Sequence, residues 1–204
     1  MRRTRVSRRF LVVLAHPHPD SFSSALCRTA VEALITAGHH VDVIDLYAED
    51  FDPRLTAAER AAYESPKPIL CAHIERYADL VRRAEGLVFV YPTWWWGLPA
   101  ILKGWLDRVL VPGVSFVLDP TTNKVQPGLT NMRTVVGITT YGSSKNSMRF
   151  FNDSGRRNIM RCIRILGPRF QCRGTWLGLY HLDKSTLAQR TDFLGRVQTT
   201  IGRL

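Results

Sequence analysis

Residues 9–15 (RFLVVLA) form a nearly unbroken apolar run, the pattern of a strand buried on both faces of a sheet. After a polar turn at 16–23, Leu26, Ala30, Val31, Ala33, Leu34 and Ala37 recur at helical spacing, and Gly38 stops the helix. A second strand is predicted at 40–46, which a right-handed crossover sets beside the first and parallel to it. Residues 47–68 are irregular, with Asp52-Pro53 and Ser65-Pro66-Lys67-Pro68 marking turns around a short helix rich in Ala and Glu. Ile74, Tyr77, Leu80 and Val81 predict a helix over 69–84. A third apolar strand follows at 86–90, then a helix from Ala100 to about Leu110. Residues 111–129 hold Pro112, Gly113, Pro120, Pro127 and Gly128 and read as an excursion with an extended segment at 114–118. The remaining pattern predicts a fourth strand at 133–140, a loop at 141–147, a basic helix at 156–166, a fifth strand at 171–179 and a closing amphipathic helix at 184–202.

Five strands alternating with helices make a three-layer α/β sandwich around a five-stranded parallel sheet in the order 2-1-3-4-5. In that order the loops after strands 1, 3 and 4 converge where the winding reverses, the place at which open sheets bind ligands. The 204 residues suit a single domain over 10–204, preceded by a basic disordered arm at 1–9. No apolar run approaches the roughly 20 residues of a membrane span. Cys27, Cys71, Cys162 and Cys172 show no metal-binding spacing and read as reduced thiols of a cytoplasmic protein, although Cys162 and Cys172 can approach each other in the fold. The net charge of +11 raises nucleic acid as a partner, but Arg2, Arg3, Arg5, Arg8 and Arg9 crowd into the arm. The other basic residues lack the interleaved aromatics of a nucleic-acid surface. A second cluster, Arg156, Arg157, Arg161, Arg164, Arg169 and Arg173, is either a solvated face or a site for an anionic cofactor or substrate.

The loop after strand 3 is the most unusual stretch: Tyr91-Pro92-Thr93-Trp94-Trp95-Trp96-Gly97-Leu98-Pro99. Successive side chains point in different directions, so one core cannot readily take three consecutive indoles. They read as a flat apolar wall beside a planar aromatic ligand, or as plugs of a helix–sheet gap or a subunit interface. The first loop places Ser21, Ser23 and Ser24 at a helix N-terminus, where free N–H groups and the dipole favour a phosphate, with His16 as a further donor. Ser23 as a simple N-cap and His16 as a turn residue are the plainer alternative. The third loop, Thr139-Thr140-Tyr141-Gly142-Ser143-Ser144, supplies hydroxyls and a glycine that permits close backbone approach. A phosphate pocket, an aromatic wall and a polar edge around one crevice describe a flavin site.

On these residues the chain resembles the NAD(P)H:quinone oxidoreductase family of flavodoxin-like fold. The resemblance is carried by Leu14-Ala15-His16-Pro17 with Ser21-Phe22-Ser23-Ser24-Ala25, by Tyr91-Pro92 with the run from Trp95 through Trp105, and by Ile138-Thr139-Thr140. It implies a dimeric cytosolic flavoenzyme that takes hydride from NADH or NADPH and passes two electrons to a quinone-like acceptor. By motif position, His16, Ser21, Phe22, Ser23 and Ala25 would surround the flavin phosphate. Pro92, Thr93, Trp94, Trp95 and Trp96 would contact its ring, and Thr139, Thr140, Tyr141 and Gly142 its other edge. The His-Pro…Ser-Phe loop leans the cofactor towards FAD, with FMN the close alternative. Larger members carry a tyrosine and a histidine just beyond the Thr-Thr loop. Residues 146–151 (NSMRFF) offer neither, so no catalytic acid is assigned; Lys145 or a nearby arginine is the candidate for electrostatic help to reduced flavin.

Two further classes fit the same pattern. A one-electron flavodoxin carrier is opposed by the charge, since such carriers tend to be acidic. A regulatory subunit of a potassium-efflux system would use the arm or the helix at 156–166 as its docking surface.

Overall fold

Runs of Val, Leu, Ile and Phe without alternation build the centre of the molecule. Strands β1 (Arg9–Leu14), β2 (His40–Asp45), β3 (Gly86–Pro92), β6 (Thr134–Thr140) and β7 (Arg173–Leu179) form one parallel sheet in the order β2-β1-β3-β6-β7. Every residue of β3 and β6 is buried, which explains why their sequences show no polar face. The order is the expected 2-1-3-4-5, because two strands of a separate antiparallel hairpin, β4 (Phe116–Leu118) and β5 (Val125–Pro127), intervene in the numbering. The structure, a computed structural model of the chain, describes residues 6–119, 121, 122, 124–168 and 171–204. Arg2, Arg3 and Arg5 of the basic arm, Pro120 of the excursion, and Arg169 of the second arginine cluster lie outside the described residues.

Successive strand side chains point to opposite faces, so the sheet supports two cores. Phe10, Val12, Val88, Val90 and Val136 pack with α1 (Phe22–Thr36) and α7 (Leu187–Ile201). Leu11, Val13, Leu87, Phe89 and Val135 pack with α3 (Ala72–Arg83), α4 (Ala100–Val109) and a π-helix at Asn158–Ile163. Among the described residues no helix is long and apolar enough to cross a membrane. All four cysteines are free, with Cys27 and Cys172 buried and Cys71 and Cys162 exposed.

Four local features differ from the sequence expectation. The excursion folds as the β4–β5 hairpin rather than as one extended segment over 114–118. Helix α3 begins at Ala72, because Cys71 is extended at φ −121°. Helix α5 (Lys145–Phe150) occupies part of the expected loop and its continuation; the Ser144 hydroxyl caps it by accepting from the Ser147 N–H, and its six residues are too few to show a period. The basic helix is split into α6 (Ser154–Arg157), capped by Asp153, and the wider π-helical turn that follows. The Ala/Glu helix α2 (Ala57–Ala62) has a Thr56–Glu59 capping box, and Glu59 is bound in turn by Arg108 of α4 at 2.5 Å, both side chains being buried.

Helix α4 approaches Pro53 so closely that a Cβ on Gly104 would lie 2.2 Å from the Pro53 carbonyl oxygen and 2.6 Å from its Cα. Alanine is favoured over glycine in a helix by about 1 kcal/mol. Overlap with backbone that cannot rotate away outweighs that, at about 1–3 kcal/mol or more. Gly195 in α7 has no atom within 4 Å of such a Cβ. Urea unfolding should therefore show Gly104→Ala destabilised, and Gly195→Ala stabilised by up to about 1 kcal/mol.

Candidate functional site

The carboxyl edges of β1, β3 and β6 are stitched together before any ligand is considered. The Ala15 N–H donates to the Val90 carbonyl at 3.0 Å and the Thr93 N–H to that of Thr140 at 2.8 Å; the Thr93 and Thr139 hydroxyls lie 3.0 Å apart. The His16 and Trp94 rings approach to 6.3 Å. The three expected loops thus share one edge of the sheet.

In the first loop Ser21 is the N-cap of α1. Its hydroxyl accepts from the Ser24 N–H at 3.1 Å and lies 2.9 Å from the Ser24 hydroxyl, which donates to the His18 carbonyl at 3.0 Å. The N–H groups of Phe22 and Ser23 belong to the first helical turn and have no intrahelical partner. They remain available to an anion at the positive end of the helix. His16 accepts from the His18 N–H at Nδ1, 3.0 Å away. Partial burial pulls its pKa down. The ring is therefore neutral at pH 7, and its Nε2 carries the proton as a donor. The Phe22 ring packs towards Phe193 at 6.5 Å, and Ser23 and Ser24 are buried. Ala25 continues the helix, its N–H bonded to the Ser21 carbonyl.

The second loop carries the strongest backbone signature. Trp94 and Gly97 exchange both N–H···O=C bonds, at 3.3 and 3.0 Å, closing a four-residue turn. Its central residues, Trp95 and Trp96, sit at φ +47° and +54°. That is the type I′ arrangement, which normally selects Asn-Gly. A non-glycine residue in the left-handed region costs roughly 1–2 kcal/mol. The turn is held by the Ser154 hydroxyl, which donates to the Trp96 carbonyl at 3.0 Å, and by Phe151, whose ring lies 4.5 Å from that of Trp96. The indoles do not share one plane: the rings of Trp95 and Trp96 meet at 75°, Trp94 turns towards His16, and Trp95 is 90% exposed.

Thr93, Trp95, Trp96, Tyr141, Gly142, Ser143 and Met148 line a crevice of about 270 Å³. Pro92, Thr139 and Thr140 lie buried beneath it, as the end of β3 and the end of β6. The Tyr141 hydroxyl points away from solvent, donating to Asp153 Oδ2 at 2.7 Å and accepting from Trp176 Nε1 at 3.2 Å. Burial first, then Asp153, pushes its pKa far up, so the phenol stays protonated through the neutral range. Met148, which lines the crevice, and Asp153, which holds Tyr141, were not singled out from the sequence, and Ser143 was named only as part of the third loop. Met148 sits on a helix too short to show a period, and Asp153 had only a turn composition.

Trp95 makes few contacts to lose, so relieving its backbone should show directly. Trp95→Gly is expected to raise the thermal and urea stability of the ligand-free protein by about 1 kcal/mol, the net of strain relief and glycine's larger unfolded-state entropy.

The model of the family described by the flavodoxin-like fold matches residues 8–164. NAD(P)H dehydrogenase (quinone) 1 of Cavia porcellus is 35% identical over 153 residues, covering 67% of this chain and 54% of that protein. An uncharacterized NAD(P)H oxidoreductase of Haemophilus influenzae is 32% identical over 142 residues, covering 69% of this chain and 68% of that protein. The crystal structure of Smu.1420 from Streptococcus mutans UA159 superposes with a TM-score of 0.81 at 28% identity, covering 96% of this chain and 100% of the other. The chain spans about half the length of the quinone dehydrogenases it matches, 54% in the rodent proteins. With the sheet order, the three loops and these likenesses together, the chain belongs to the flavodoxin-like family that contains the NAD(P)H:quinone oxidoreductases.

Proposed function

We propose that the protein is a flavin-dependent NAD(P)H oxidoreductase that delivers two electrons to a quinone-like acceptor. The observation that carries the reading is the convergence, at one sheet edge, of a helix N-terminus capped by Ser21 and a strained aromatic turn beside a narrow crevice. The donor set suits a flavin. Phe22 and Ser23 N–H, the Ser21 hydroxyl and His16 Nε2 would hold its phosphate; Thr93, Trp95, Trp96 and Gly142 would border its ring. Bound flavin supplies the capacity to accept a hydride and to release two electrons.

The chain's own contribution is positional. The Trp94–Gly97 turn fixes one wall of the crevice, and the Thr93–Thr140 bond fixes that wall against β6. Trp96, backed by Phe151, presents an apolar ring face on one side. Alignment of donor and acceptor against a fixed plane is most of what hydride transfer requires. No proton-transfer residue is assigned, because the buried Tyr141 hydroxyl is held by Asp153 rather than offered to the crevice.

FAD is favoured over FMN by a concave region of about 640 Å³ beside the first loop. Tyr180, Lys184, Asp192 and Arg196 line it together with Phe193, the ring that meets Phe22, so that two cations face one acid there. Space and positive charge next to the phosphate cradle suit the adenylate half of FAD. The exposed edge formed by Trp95, Phe150 and Phe151 is where a second copy would close the crevice, in keeping with the dimer that the resemblance implies.

The test is an anaerobic visible spectrum of the flavin-loaded protein. The flavin band should bleach on addition of NADPH and return when a quinone is added, and heat should release FAD. A band that persists in excess NADPH and excess NADH would overturn the reading.

A further inference from the structure

We propose that the arginine-rich basin between α5, α6 and the π-helix is the seat of the 2′-phosphate of the nicotinamide cosubstrate, so that the enzyme selects NADPH over NADH. The proposal rests on the flavin reading for the position of the nicotinamide ring, and adds to it a binding site for a second anion. Lys145, Arg149, Arg156, Arg157, Arg161 and Arg164 surround a concavity of about 590 Å³. None of the six takes part in an ion pair among the described residues. The basin has one acid, Asp153, and both of its oxygens are engaged, Oδ2 by the Tyr141 hydroxyl and Oδ1 by the Arg156 N–H at 3.1 Å. Six cations facing one hollow repel one another and raise a positive potential that an anion would relieve. Guanidinium groups are suited to phosphate, which they bind in bidentate fashion.

The position of the basin says which anion. Met148 lines both the basin and the aromatic crevice. Tyr180, at the basin wall, stacks on Tyr141 of the crevice with ring centroids 4.5 Å apart and planes within 4°. The two hollows are therefore neighbours, and a ligand with a flat ring in one would bring its phosphates to the other. The flavin's own phosphate lies elsewhere. Its cradle is the N-terminus of α1, which packs on one face of the sheet, whereas the π-helix carrying Arg161 packs on the opposite face through Ile159 and Ile163. The second phosphate-bearing ligand of such a site is the dinucleotide donor.

Arg157 and Arg161 are exposed and have no hydrogen-bond acceptor for their side chains among the described residues, so replacing them leaves the packing intact. Arg164 is less suitable, since it donates to the Cys172 carbonyl at 2.8 and 3.0 Å. The experiment is calorimetric titration of 2′,5′-ADP and of 5′-AMP into the full chain, with and without flavin. The wild type should bind 2′,5′-ADP at least about tenfold more tightly than 5′-AMP, and Arg157→Gln combined with Arg161→Gln should remove most of that difference. The KM for NADPH should rise in the same variant by about the same factor, with that for NADH moving far less. Equal affinity of the wild type for the two nucleotides would overturn the proposal. So would a double variant that keeps the preference, or one that changes only the KM for a sulfonated quinone. Because the titration needs no turnover, a nucleotide preference without flavin reduction would uphold the basin and defeat the proposed function. Turnover without the preference would do the reverse.

Discussion

Two consecutive tryptophans held at positive φ are the constraint around which the crevice edge of the sheet is arranged. Together they store on the order of 2–4 kcal/mol of backbone strain if each carries the usual left-handed penalty. Such a conformation persists only where its surroundings over-determine it. Here the surroundings are identifiable: the paired bonds between Trp94 and Gly97, the Ser154 hydroxyl on the Trp96 carbonyl, the Phe151 ring, and the Thr93–Thr140 bond that ties the turn to β6. A simple packing role for the loop would be met more cheaply by Asn-Gly at the two central positions. The observed choice places large aromatic surface at the mouth of a crevice at the expense of stability.

The same edge divides the molecule electrostatically. On the α1 and α7 face lies the helix terminus with Ser21, Ser24 and His16, the cradle proposed for the flavin phosphate. On the α5 and π-helix face lies a broad array of arginines that lack carboxylate partners among the described residues. The aromatic crevice sits between them.

Much of this was legible in the sequence, for physical reasons. The apolar runs of β1, β3 and β6 are unbroken because parallel strands are covered on both faces, and a right-handed crossover sets β2 beside β1. The helix start that Ser21 caps was visible as a cluster of serines. Other features could not be read. A six-residue helix such as α5 leaves no periodicity, so Met148 was not seen as a crevice residue. Whether three adjacent indoles form one wall depends on φ at Trp95 and Trp96, and nothing in residue identity predicts left-handed tryptophan. The inward hydroxyl of Tyr141 depends on Asp153, twelve residues away, whose own left-handed cap conformation is equally invisible in the sequence.

The most direct measurement is the flavin affinity of a protein in which the turn is made easy. Trp95→Asn with Trp96→Gly keeps the type I′ geometry and removes both indoles, and its dissociation constants for FAD and FMN can be read by quenching of flavin fluorescence. The account predicts a fold at least as stable as the wild type and flavin binding weaker by about tenfold or more, the loss of one or two aromatic contacts. Flavin binding at wild-type strength in that variant would contradict it, and would return the tryptophans to a structural role.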